Sequence, residues 1–365
     1  MLFSYNRIEH ASEKMHEFVE YIFMEVWCKA RDLEFSIELF EGNESLHNIM
    51  AELFRRDSAE KLKGAALDFY TGVNGIFIEF KQLTDEEIAD YRHKFESNNS
   101  IEELCENSGG KKPCCYGELN PEKVELNKQI EAFFKNLYSS GFFDLKFVRD
   151  EVGATIGDYY KAFVRRGNND NDTCPFCGIL PIDGEFDPTR DAFDHYLPKS
   201  KYPFNSVNLG NLCPSCNKCN SGNKRDQDPL RDGDDNPRKA FYPFADTTPD
   251  VAVNVKVKGK EWQRLTDDRI QIELSSEKYD DETKTWSELF RIDSRYSAKC
   301  CSKNGGIHWL KRIFDIRENY GVSQEDMLKA EIAAANSAPW VESNFLRAAF
   351  LSGCRESGLF EAQNI

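Results

Sequence analysis

Cys174-Pro175-Phe176-Cys177-Gly178 places two thiols three positions apart on a turn, the spacing at which both sulfurs can reach one tetrahedral metal ion. A second pair must close such a site. The stretch Cys213-Pro214-Ser215-Cys216-Asn217-Lys218-Cys219 offers two, Cys213 with Cys216 or Cys216 with Cys219. Either choice supplies four soft thiolates, the donor set of a structural zinc. Between the pairs stands Asp194-His195. An imidazole with an ordinary pKa of about 6.5 is mostly neutral at cellular pH and can take a proton from water. A carboxylate is a hard ligand that suits Mg²⁺ or Mn²⁺. Base and metal together are what phosphodiester hydrolysis requires.

The order of these features, Phe193-Asp194-His195-Tyr196-Leu197-Pro198-Lys199-Ser200 flanked by zinc knuckles, resembles the HNH endonuclease family, whose core is the ββα-metal fold. The family pattern continues with an asparagine before a leucine and, nine residues on, an asparagine or histidine directly after the last zinc cysteine. Asn211-Leu212 and Cys219-Asn220 fit that step, whereas Asn208-Leu209 lies at the wrong distance. The resemblance thereby selects Cys174, Cys177, Cys216 and Cys219 as the zinc ligands and leaves Cys213 spare. It covers residues 174–225. Within the family, the run His-Tyr-Leu-Pro-Lys-Ser and the ending Cys-Asn-Ser are most similar to HNH nucleases of bacterial anti-phage defence systems such as Septu and its retron-linked relatives.

The resemblance implies roles. His195 is the general base, Asp194 and Asn220 hold Mg²⁺ or Mn²⁺, and Asn211 holds the loop and orients His195. The zinc is structural. DNA is the implied substrate, cut with low sequence specificity, and a companion ATPase is the implied protein partner. A non-catalytic zinc module binding nucleic acid or a protein, and an RNA-cleaving effector, are the competing readings. Adjacent side chains on a regular strand point to opposite faces, so Asp194 and His195 are expected at a β-bulge or a strand end.

The whole chain of 365 residues carries a net charge of −16, which excludes an all-over phosphate-binding surface. Residues 190–225 are the exception. Arg190, Lys199, Lys201, Lys218, Lys224 and Arg225 face only Asp191 and Asp194 there, a local excess of four positive charges. Lys199, Lys201, Lys218, Lys224 and Arg225 are the candidate nucleic-acid contacts, with Lys224 the first choice because it follows Asn220 by one helical turn. Twelve cysteines in a chain of this length, without a secretory pattern at its start, favour metal ligation over disulfides and a cytoplasmic setting without a membrane. Cys105, Cys114 and Cys115, with His93, lack knuckle spacing, and Cys300-Cys301 reads as a reduced pair. Trp27, Trp262, Trp286, Trp309 and Trp340 fall in patterned segments and are expected in the core.

Around this centre the sequence predicts an α+β fold, mostly helical, in three regions: 1–167 helical and a possible docking surface, 168–245 the zinc-bearing nuclease unit, and 246–365 a β-hairpin followed by helices. The polar run 168–172 marks the first boundary. Thr84-Asp85-Glu86-Glu87 is a capping box opening a helix with Ile88, Tyr91 and Phe95 on one face. Asn120-Pro121 reads as the start of a helix carrying Leu126, Ile130, Phe133, Phe134 and Leu137. The intervening 98–120 reads as a loop. Val251, Val253, Val255 and Val257, then Ile270, Ile272 and Leu274, alternate with polar residues as two paired strands. Helical patterning returns from Trp286, with Ser323 to Asp326 a cap and Pro339 a break.

Overall fold

The computed structural model describes residues 3–166, 172–321 and 323–360; most of the expected boundary run 168–172 lies outside them. The chain is mixed α+β and predominantly helical, with two small antiparallel sheets, β1 (Phe193–His195) with β2 (Leu212–Pro214) and β3 (Ala252–Val257) with β4 (Ile270–Ser275). One continuous hydrophobic core extends from Tyr5 to Phe360 and runs through all three expected regions.

The N-terminal part is built by amphipathic periodicity. In the helix Ala65–Phe80, the buried Ala66, Phe69, Tyr70, Val73, Ile76, Phe77 and Phe80 recur every three or four positions. They face the helix Val124–Leu137, whose Leu126, Ile130, Phe133, Phe134 and Leu137 are all buried. Gly72 permits this approach, since a Cβ there would lie 2.7 Å from the Phe133 ring. The helix Asp85–Asn99 opens on the expected box: Thr84 Oγ1 accepts from Glu87 N at 3.2 Å, and Thr84 N donates to Glu87 Oε2 at 2.9 Å.

Two local expectations are corrected. Asn120 caps a turn rather than a helix, accepting from Glu122 N at 3.0 Å, and the helix starts at Val124. The segment expected as a loop contains the helix Ile101–Glu106, because Ile101, Leu104 and Cys105 have a core to face.

Beyond the centre, β3 (Ala252–Val257) and β4 (Ile270–Ser275) pair antiparallel from Ala252 opposite Ser275 to Val257 opposite Ile270. The valine alternation is read correctly, while the link between the strands is long and holds two short 3₁₀ turns. The helix Asn344–Glu356 lies on β3 so closely that a Cβ on Gly353 would come within 1.8 Å of the Val255 carbonyl oxygen. Ser323 caps the helix Gln324–Ser337, which ends before Pro339. Trp27, Trp286 and Trp309 are buried and Trp262 is partly so. Trp340 departs from the expectation: it is exposed, with an edge against Phe3. Among the described residues, no helix is long and apolar enough to cross a membrane.

Candidate metal centre and active site

Two short strands and a wide helical turn form the centre. Phe193–His195 (β1) pairs antiparallel with Leu212–Pro214 (β2), followed by the π-type turn Lys218–Lys224. Such wide turns recur at functional sites.

The four cysteines Cys174, Cys177, Cys216 and Cys219 converge, with all four sulfurs within 4.8 Å of one another and each residue buried. The first pair sits on a turn closed by Gly178 N donating to Cys174 O at 2.8 Å, with Gly178 at φ +62°, where a side chain would be strained. The second pair sits on a matching turn, Cys219 N to Cys216 O at 2.9 Å. A tetrahedral zinc with Zn–S of about 2.3 Å sets its sulfurs roughly 3.8 Å apart. Cys177 and Cys216 are 4.0 Å apart. The donor set and spacing therefore fit a closed structural zinc site, and it is the only such cluster among the described residues. Cys213 lies outside it, buried on β2 opposite Asp194. Burial pushes its thiol well up, away from thiolate character.

Residues far along the chain complete this zinc module, and spacing alone could not reveal them. Trp286 Nε1 donates to Phe176 O at 2.7 Å and Tyr296 OH to Cys177 O at 2.9 Å, so two later helices grip the first knuckle. Arg295 Nη1 lies 3.2 Å from Cys219 Sγ and also donates to Phe290 O.

His195 closes β1. Its register with Leu212 is one to one, so of the two expected distortions the strand end is found and the bulge is not. The ring Nε2 lies 2.9 Å from the carbonyl oxygen of Ser206 and must donate to it, which leaves Nδ1 as the ring's basic nitrogen. Tyr138 stands edge-on to the ring at 4.7 Å. Burial pushes the imidazole down to about 3, so it is neutral across the physiological range. The Asn211 side chain hydrogen-bonds to Leu197 and Asn205. Its Oδ1 accepts from Leu197 N at 2.7 Å and its Nδ2 donates to Leu197 O at 3.0 Å, stapling the loop after β1. The orienting partner of His195 is Ser206, which sequence reasoning missed. Two residues before it, Phe204 has a φ of +81° and its ring packs in a cluster with Phe23, Phe95 and Phe134.

Asp194 is 2% exposed, and desolvation raises its carboxyl while Lys224 opposes the rise. Oδ1 accepts a hydrogen bond from Lys224 Nζ at 3.1 Å; Oδ2, 3.0 Å from the same nitrogen, takes no directed hydrogen bond. Asn220 Nδ2 donates to Phe193 O at 3.3 Å, which leaves its Oδ1 uncommitted by that bond. A carboxylate oxygen and an amide oxygen are the hard donors that a divalent cation takes, so the donor types of Asp194 and Asn220 fit such an ion.

The cationic candidates divide. Lys224, expected against a phosphate, is corrected: it has no exposed surface, and its ammonium binds Asp194 and the carbonyl of His195 at 2.9 Å. The wide turn does put it on the face of Asn220, but that face points at β1. Lys199 is half-buried, donating to Lys135 O at 3.0 Å and to Ser139 Oγ at 3.2 Å. Lys201 is half-buried, while Lys218, Arg225 and Arg190 are exposed.

Comparison with protein-family models, with curated proteins and with solved structures gives no match.

Proposed function

We propose that the chain is a metal-dependent HNH endonuclease, with His195 as general base and Asp194 and Asn220 as the ligands of Mg²⁺ or Mn²⁺. One observation carries the reading: the Asn220 side chain bonds the backbone of β1 at Phe193, bringing it to the strand that bears Asp194 and His195. A non-catalytic binding module has no need of His195, Asp194 and Asn220 as a set.

In this mechanism His195, neutral before the step and held in one tautomer by the Ser206 carbonyl, takes the proton of a water on Nδ1 and becomes imidazolium, with Nε2–H still donating to Ser206 O. Asn211 keeps the loop between the strands in one conformation. The divalent ion, when bound, neutralises charge on the phosphate and the departing oxygen. A zinc held by Cys174, Cys177, Cys216 and Cys219 would have no open position and would serve the scaffold only.

DNA is the proposed substrate, met by the exposed Arg190, Lys218 and Arg225 without base-specific contacts. The charge of −16 makes such binding weak and steeply salt-dependent. Asp194 is enclosed and Tyr138 stands over His195, so substrate entry needs this cover to move. An enclosed site is in keeping with an enzyme that is released before it acts; the companion ATPase and the anti-phage role are what the resemblance to HNH defence nucleases implies. The test is cleavage of plasmid, single-stranded DNA and RNA by the purified chain with Mg²⁺ or Mn²⁺, with and without candidate partner ATPases. His195→Ala should cost about 10²- to 10⁴-fold in rate with zinc content unchanged. Undiminished cleavage by His195→Ala would remove the mechanism, and preference for RNA would move the chain to the RNA-cleaving class.

A further inference from the structure

We propose that Lys224 is the resident cation of the Asp194 site: in the metal-free chain its ammonium holds the place that a divalent ion takes, and the ion binds in competition with it. The proposal rests on the reading of Asp194 as a metal ligand.

Three oxygens converge on Nζ of Lys224: Oδ1 of Asp194 at 3.1 Å, Oδ2 at 3.0 Å and the carbonyl of His195 at 2.9 Å. The nitrogen sits in the fork of the carboxylate, as a chelated cation would. Neither partner reaches solvent, since Lys224 is 0% and Asp194 2% exposed. Lysine is among the residues least often fully buried, and one enclosed here without its counter-charge would be costly. The pair is thus a neutral plug for a cation seat.

Oδ2, although ion-paired with the ammonium at 3.0 Å, takes no well-directed hydrogen bond. An ion arriving there would stand a few ångströms from the ammonium in a medium of low dielectric, and like charges at that range repel strongly. The ammonium must therefore withdraw as the ion enters. Because the same nitrogen also grips the carbonyl of His195, its withdrawal frees the end of β1 that carries the base. Metal loading and the setting of His195 are coupled through one side chain.

Two measurements on the full-length chain test this. The first is Mn²⁺ binding followed by electron paramagnetic resonance, with zinc content as the control for folding. Lys224→Met should bind Mn²⁺ at least tenfold more tightly than wild type, and Lys224→Gln should shift the same way; Asp194→Asn should abolish the site. Equal or weaker affinity in either variant that retains zinc overturns the proposal. The second uses wild type alone. Reductive methylation read by peptide mass should spare Lys224 in the metal-free chain and modify it once Mn²⁺ is saturating, and protection that persists under Mn²⁺ overturns the proposal whatever the variants do. Absence of any Asp194-dependent Mn²⁺ binding in wild type and variants alike would take down the nuclease reading as well, whereas wild-type binding with Lys224 still protected would spare that reading.

Discussion

Arg295 Nη1 lies 3.2 Å from the sulfur of Cys219, placing a guanidinium against one corner of the four-cysteine cluster. Four thiolates around one Zn²⁺ leave a net charge of −2 in a buried site, and Arg295 is half-shielded beside it. Arg295→Met should therefore speed zinc loss to a chelator by about 10- to 100-fold, the usual weight of an outer partner on a metal site. Metal release followed with a colorimetric zinc indicator checks this, and Arg295→Lys should recover part of the loss.

The zinc register has its own test. Cys216→Ser and Cys219→Ser should each lose zinc and unfold the centre, because binding energy at such a site is folding energy. Cys213→Ser should keep its zinc, since that thiol lies on β2 opposite Asp194 and outside the cluster. Zinc content by mass spectrometry decides; retention in Cys219→Ser with loss in Cys213→Ser would reverse the assignment.

His16 should make the protein acid-sensitive. It stands on the helix Lys14–Tyr21 with its ring parallel to Phe95, and its Nδ1 is enclosed without a hydrogen-bond partner. Desolvation, helped by Arg7, pushes its pKa down to about 4. The unfolded chain, with an ordinary value of about 6.5, takes up the proton first. The stabilising contribution is complete above that pH and is lost as pH falls toward 4, at most about 3 kcal/mol. Urea unfolding at pH 7 and pH 4.5 should show a smaller acid penalty in His16→Phe than in wild type.

Gly353→Ala should destabilise the C-terminal part. The added methyl would meet the Val255 carbonyl oxygen at 1.8 Å, backbone against backbone, so neither side can rotate away. The helix Asn344–Glu356 would have to lift from β3. A cost of about 3 kcal/mol is expected, in the upper range for overpacking, read as a lower midpoint in thermal or urea unfolding. An unchanged midpoint would mean that the helix yields freely.

Much of this protein is written in short-range pattern. The zinc spacing, the Asp194-His195 pair, the Thr84 box and the alternating valines of β3 are local signals, and each depends on only a few neighbouring side chains. Resemblance, not spacing alone, chose Cys219 over Cys213, and the converging sulfurs agree with that choice. Tertiary structure decided what the side chains near the centre face. Lys224 looks like any basic residue after a knuckle until the wide turn swings it inward onto Asp194. Ser206 carries no chemical signature, since its contribution is a backbone carbonyl that any residue possesses. Its segment is anchored two residues earlier by Phe204, whose ring packs on Phe23 and Phe95, more than a hundred positions upstream. Trp286, Arg295 and Tyr296 reach the knuckles from helices that follow β4. Pattern reports which faces of an element are apolar; which distant element covers each face, and which polar group thereby loses water and needs a partner, is settled only when the whole core closes.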